Sequence, residues 1–181
     1  MSKTAKLPRS FWAWDEIVEM NKDGYWPYTP NTNLLYGLSE ALDMLGAEGL
    51  DKVFARHQRW AAGVRAAVNA WGLAIQCADP ALYSPVLTGV ILPEGVDADA
   101  VRRLIHERFD LSLGTGLGKV KGRMFRIGHL GDSNDLTLLA TVAGCEMGLK
   151  LAGVKLAGSG VQAAMEHFAT HPAAALAKSA G

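Results

Sequence analysis

The chain has 181 residues, 49% of them apolar and 20% charged, the make-up of an ordinary globular protein long enough for one good core. Lys plus Arg and Asp plus Glu balance at 18 each, which leaves no broad electrostatic footprint for nucleic acid or anionic lipid and confines anion recognition to local sites. The two cysteines, Cys77 and Cys145, form no CxxC or Cys/His cluster, and "MSKTAKLPRS" lacks an apolar leader core, so reduced thiols and a cytoplasmic location are expected.

"SFWAWDEIVEMNKDG" predicts a short helix with Ser10 as its cap, Trp14, Ile17 and Val18 on its apolar side, and Gly24 at its end. The aromatic, proline-punctuated "YWPYTPNTN" interrupts regular structure. From Pro30 the pattern is helical, with Leu34, Leu35, Leu38, Leu42 and Leu45 at spacings of three and four. "GAEG" separates this from a helix over Leu50–Ala70 with Val53, Phe54, Trp60, Val64 and Val68 inward.

After "WGL" the period changes to that of strands, in "LAIQCA" and "PVLTGVILP". "DADAVRRLIHERF" is a helix capped by Asp97. "LSL" and "MFRIGHL" read as strands around the turn "GTGLGK", and a closing helix starts at Ser133 or Asn134. Glu146 and Lys150 mark that last apolar run as a core helix, not a membrane span.

The expected fold is a small α+β lobe, a short sheet with helices on one face, preceded by a long helical segment. The expected division is 1–71, a helical connecting segment; 72–153, the α+β lobe; and 154–181, a weakly ordered Ala-rich tail. The front third carries an apolar face with nothing of its own to cover it.

"GTGLGK", 114 to 119, has neither the spacing of a phosphate loop nor that of a dinucleotide fingerprint, and reads as a mobile hairpin connection that could act as a lid. Thr29 before Pro30 has the form of an N-cap followed by a first-turn proline. Such a helix start only caps itself or seats a phosphate.

In "GRMFRIGHLGD", alternation puts Met124, Arg126, Gly128 and Leu130 on one face and Phe125, Ile127 and His129 on the other. Arg126 is either an edge-strand arginine, solvated or paired with Asp132 or a distant carboxylate, or a fork awaiting a small carboxylate. The side-chain-free Gly128 on the same face favours the fork. The five histidines show no metal spacing: His57 and His106 read as solvated and His129 as packing. No carboxylate pair, Ser/His/Asp set or cysteine nucleophile stands out.

Three stretches together, "YWPYTPNTNLLYGLSEALDML", "DPALYSPVLTGVILPEGVDADAVRRLI" and "LSLGTGLGKVKGRMFRIGHLGD", resemble the C-terminal part of class V aminotransferases. The likeness is strongest to the serine–glyoxylate branch, with the alanine–glyoxylate branch near it. It implies the C-terminal portion of a fold-type I transferase that uses pyridoxal 5'-phosphate, with amino and 2-oxo acids as substrates and a homodimer as the intact enzyme. It also implies that Arg126 binds the substrate's α-carboxylate, and that Thr29 binds the cofactor phosphate, commonly in the neighbouring subunit's site.

In relatives a tyrosine three residues before the threonine also reaches the phosphate. Trp26 stands there, which leaves that role open between Tyr25 and Tyr28. The family's Schiff-base lysine lies upstream of Met1. Lys3 and Lys6 match the linker after it, and Lys119 and Lys121 the loop before Arg126, so the chain is expected to be inactive alone, its large domain missing. A different expectation is a non-catalytic α+β module that binds a small amino or keto acid through Arg126.

Overall fold

The computed structural model describes residues 4–8, 11 and 13–172. The chain forms two compact units, divided between Glu48 and Gly49. In the first, α1 (Trp14–Asn21) ends at Gly24, whose φ of 78° reverses the chain, and α2 (Thr32–Glu48) follows. Ser10, the expected cap of α1, lies outside the described residues. Neither helix buries a side chain, and Leu34, Leu38 and Leu42 of the α2 stripe are all more than half exposed.

The start of α2 differs from the sequence expectation. Asn31, not Thr29, caps it: the Asn31 Oδ1 accepts the Leu34 N–H at 3.1 Å, and the Asn31 carbonyl accepts the Leu35 N–H at 3.1 Å. "GAEG" also breaks the helices later than expected, since α2 runs through to Glu48 and only Gly49, at φ 87°, intervenes before the next helix.

The second unit contains α3 (Leu50–Ala70), β1 (Ala74–Ile75), β2 (Leu87–Ile91), α4 (Ala98–Phe109), β3 (Gly114–Thr115), β4 (Met124–Gly128), α5 (Asp135–Leu151) and α6 (Gly160–Thr170). Its antiparallel sheet has the order β1-β2-β4-β3. On one face Val90, Phe125 and Ile127, all fully buried, meet Trp60, Val64, Val68, Ile105, Val142 and Leu149 from the helices. This is the expected α+β lobe with helices on one side. The boundary falls before α3 and not at 71/72, because the apolar side of α3 belongs to this core; Phe54, expected inward, is exposed.

Helix starts follow the predicted chemistry. The Asp97 carboxylate accepts the Asp99 N–H, and Asn134 forms a reciprocal capping box with Thr137. "LSL" is not a strand; pairing begins at Gly114, so β3 uses the glycine-rich stretch itself. The Ala-rich remainder holds a real helix, α6, which buries Ala164 and Phe168 against the core. It fits tightly: a Cβ on Gly160 would come within 2.4 Å of the Trp71 Nε1, and one on Gly63 within 2.4 Å of the Phe168 ring. Residues 173–181 of the expected tail lie outside the described residues. Among the described residues no helix is long and apolar enough to cross a membrane.

Glu146 joins three helices. Its nearly buried carboxylate accepts from the Trp71 Nε1 (3.0 Å), the Lys150 Nζ (2.7 Å), the Val161 N–H (3.1 Å) and the Ser159 hydroxyl (3.3 Å). Burial alone would raise its pKa, but the Lys150 and Trp71 hydrogen bonds and the Val161 N–H outweigh it and hold the pKa down at about 2. Glu146→Ala strands the Trp71 and Val161 donors, and should lower stability by roughly 3 kcal/mol in urea unfolding, with Glu146→Gln losing less. A loss under about 0.5 kcal/mol would show that the carboxylate joins nothing.

Candidate functional site

Arg126 sits in the middle of β4, and β4 lies between β2 and β3. It is therefore not an edge-strand arginine. Its flanking residues Phe125 and Ile127 are driven into the core, and strict alternation turns Arg126 to the opposite face with Met124 and Gly128. The residues registered beside it on both neighbouring strands are glycines, Gly89 on β2 and Gly114 on β3.

Three glycines thus share the face of Arg126, and each has a different neighbour. A Cβ on Gly89 would meet the Met124 Sδ at 2.9 Å, so Met124 occupies that space. A Cβ on Gly114 would meet the Arg126 Nε at 2.9 Å and its Cβ at 3.0 Å, so Arg126 itself lies across Gly114. At Gly128 the nearest atom would be the Leu130 Cδ2 at 3.6 Å, ordinary contact distance, and this exposed position keeps its space.

No described carboxylate pairs with Arg126. Asp132, its expected alternative partner, does not reach it, and the buried Arg126 Nε has no hydrogen-bond acceptor. A buried guanidinium N–H without an acceptor is unfavourable, and a charge unneutralised by the protein favours an anion from outside. Among the described residues the donor is present and no acceptor meets it.

The reverse face holds His129, fully buried. Its Nδ1 is 3.1 Å from the Pro85 carbonyl and must donate to it, so its Nε2, 2.9 Å away, accepts from the Thr88 hydroxyl. Burial first, with Arg65 and His57 adding to it, lowers the His129 pKa to about 4, so the ring is neutral near pH 7. His129 is packing, as its alternation implied, and pins the end of β4 to the loop before β2. The next turn is held from α3: the Arg56 Nη1 donates to the Gly131 carbonyl (2.7 Å), and the Gly131 N–H donates to the His57 Nε2 (3.3 Å). His57, expected to be solvated, is a clamp on the loop after Arg126.

The glycine-rich connection is tied down as well. The Gly116 N–H donates to the Met124 carbonyl (3.0 Å), and a Cβ on Gly116 would lie 2.2 Å from the Val120 carbonyl oxygen. Behind it, Asp99 accepts from the Thr115 hydroxyl (2.7 Å) and from Arg102 (3.0 Å), and the Thr115 bond chiefly lowers its pKa. Arg102 also donates to the Leu113 carbonyl from two nitrogens, at 2.8 and 2.6 Å. These bonds fix β3, and with it Gly114, and do not describe a loose lid.

Thr29 lies in the other unit. It is exposed, and no described residue bonds its hydroxyl. It borders a hollow of about 340 Å³ with Trp14, Trp26, Tyr28, Pro30 and Leu35 among its walls. Tyr28 shares that hollow and Tyr25 does not. A free hydroxyl fits one phosphate oxygen, but no Lys or Arg lines the space, so Thr29 would complete a phosphate site and not constitute one. No group of three or more potential metal-ligating side chains occurs among the described residues.

A serine–glyoxylate aminotransferase from Hyphomicrobium methylovorum is 46% identical over 97% of this chain, and one from Arabidopsis thaliana is 44% identical over 94%. An L-aspartate–glyoxylate aminotransferase from Paracoccus denitrificans is 45% identical over 98%. The chain belongs to the class V aminotransferase family.

It spans only 43–45% of the length of these relatives. No family model matches it. Among solved structures, pyridoxamine–pyruvate aminotransferase from Mesorhizobium loti superposes with a TM-score of 0.77 at 34% identity, over 83% of this chain and 39% of that one. Ureidoglycine–glyoxylate aminotransferase from Bacillus subtilis gives 0.75 at 28% identity, over 84% and 41%. The small antiparallel sheet with its helices is thus that of fold-type I aminotransferases, matched over part of their chains.

The buried neutral His129 has a measurable consequence. Its folded pKa is depressed, so below its unfolded value near 6.5 the unfolded chain binds a proton that the folded chain refuses. Stability should therefore fall as pH drops from about 6.5 to about 4, by on the order of 3 kcal/mol at the lower end. Glu146 adds to the loss only below its unfolded value near 4.5. Urea midpoints across this range should flatten in His129→Gln; an unchanged slope would mean His129 titrates normally in the folded chain.

Proposed function

We propose that this chain is the C-terminal part of a pyridoxal-phosphate-dependent aminotransferase that delivers an amino group to glyoxylate, with serine or alanine as the donor. The observation that carries the reading is Arg126, on an interior strand with a glycine registered on each side and with no acceptor for its buried Nε among the described residues. A bidentate fork suits the α-carboxylate that amino donor and oxo-acid acceptor share, so one residue serves both half-reactions. Holding that carboxylate fixes the substrate's α-carbon relative to the rest of the site, which is the positioning part of catalysis.

The relatives agree on the acceptor more than on the donor. Two name serine and glyoxylate, and the Paracoccus enzyme names aspartate and glyoxylate at nearly equal identity. Arg126 cannot discriminate among these donors, because it addresses the group they have in common. Donor choice rests on residues that meet the side chain.

Pyridoxal phosphate, when bound, supplies the electron-withdrawing ring on which the amino group is carried between substrates. This chain's own contribution would be Thr29, whose hydroxyl would donate to a phosphate oxygen in the site of a homodimeric partner. The anchoring lysine and the large domain would come from the part of the relatives' length that this chain does not span. Matches over 97% of the chain, front segment included, favour this reading over a free-standing binding module.

Restoring the chain to a full-length enzyme allows a direct test. Arg126→Ala should lower kcat/KM for glyoxylate by about 30- to 5,000-fold, the roughly 2–5 kcal/mol expected for removing one partner of a buried charge pair. Retained kcat/KM would remove Arg126 from the substrate site. Thr29→Ala should weaken cofactor retention in dialysis about tenfold while leaving turnover at saturating cofactor nearly intact, the loss of about one hydrogen bond to a charged group. The opposite split would take Thr29 off the phosphate.

A further inference from the structure

We infer that Gly114 is a positioning residue for Arg126: the missing Cβ lets the arginine side chain lie across β3, and so decides which end of the guanidinium meets the carboxylate. This rests on the reading of Arg126 as the carboxylate fork. Registered directly opposite Arg126, Gly114 offers bare backbone where any other residue would place a Cβ 2.9 Å from the Nε, 3.0 Å from the Cβ and 3.4 Å from the Cζ of Arg126. The last of these marks the root of the fork itself.

The consequence is written in the burial of the arginine. Of the guanidinium nitrogens only the Nε is both shut off from water and without an acceptor. Laid over Gly114, the Nε edge is withdrawn, so a carboxylate meets Arg126 end-on, through Nη1 and Nη2. A side-on approach through Nε and one Nη would need the side chain lifted from the strand. The adjacent open position, Gly128, gives the incoming anion its room.

Gly114 cannot shift to relieve a new side chain, because β3 is held from behind. Thr115 bonds Asp99, and Arg102 grips the Leu113 carbonyl, so residues on both sides of Gly114 are anchored to α4. A Cβ at 114 must therefore move the arginine and not the strand. Gly89 has a separate task, since its space is filled by Met124.

The test uses the 181-residue chain and glycolate, an unreactive small carboxylate, as the probe. The Arg126 Nε–H resonance is assigned by its disappearance in Arg126→Ala. In the native chain it should exchange slowly with water, and glycolate should perturb the arginine Nη resonances more than the Nε. In Gly114→Ala the Nε–H should exchange at least tenfold faster, and glycolate should bind about tenfold more weakly. Gly46→Ala, which adds the same methyl group in open space on α2, should leave Nε–H exchange unchanged.

Equal Nε–H protection and equal glycolate affinity in Gly114→Ala and the native chain would overturn the positioning role while leaving Arg126 as the fork. No response to glycolate in the native chain would overturn the fork and the positioning role together. If Gly114→Ala is too unstable for spectroscopy, its fall in Tm should be clearly smaller when introduced into Arg126→Ala, because the guanidinium is what it displaces. An equal fall in both backgrounds would place the conflict elsewhere and overturn the inference.

Discussion

Arg126 takes its direction from its neighbours along the strand. Phe125 and Ile127 are fully buried on one side of β4, and the pleat sends the residue between them to the other. On an interior strand, that side chain has a registered neighbour left and right, and both are glycines. A carboxylate at either position would have neutralised the guanidinium, and a large side chain would have covered it. The bare backbone on both sides does neither, and the buried Arg126 Nε has no acceptor among the described residues.

Much of the rest of the second unit serves to keep that geometry fixed. His129 and Thr88 lock the reverse face of β4 to β2, and the two clamps from α3 onto Gly131 hold the loop beyond it. The bidentate pair of Arg59 with Asp135, at 2.5 and 2.7 Å, ties α3 to the first turn of α5. Glu146 then joins α5 to the end of α3 and the start of α6 through three acceptor contacts. Positioning by a preformed frame is what the proposed role of Arg126 would require, since a guanidinium free to swing would lose its orientation to rotamer entropy.

The first unit has the opposite character. Its two helices bury no side chains, and the leucine stripe of α2 lies open with Tyr36 and Trp14 also exposed. Helices of this length draw their stability from tertiary packing of an apolar face more than from propensity. A stripe left uncovered within its own unit accords with a segment that, in relatives more than twice as long, has further chain to pack against.

The sequence by itself determined the local elements: the cap at Asp97, a helix start at Ser133 or Asn134, the change of period after Trp71, and the alternation that separates Arg126 from Phe125, Ile127 and His129. These are properties of residues a few positions apart, and local chemistry suffices for them. It did not reveal that α6 is core, because its fit to Trp71 and to Gly63 of α3 depends on which helix lies opposite. It misplaced the cap of α2, since Thr29 and Asn31 are both good caps and the helix chooses one. Only the tertiary structure decided that Gly89 and Gly114 flank Arg126, because strand register joins residues 37 and 12 positions away that no local pattern relates. The arginine was legible as a residue; its surroundings belong to the sheet.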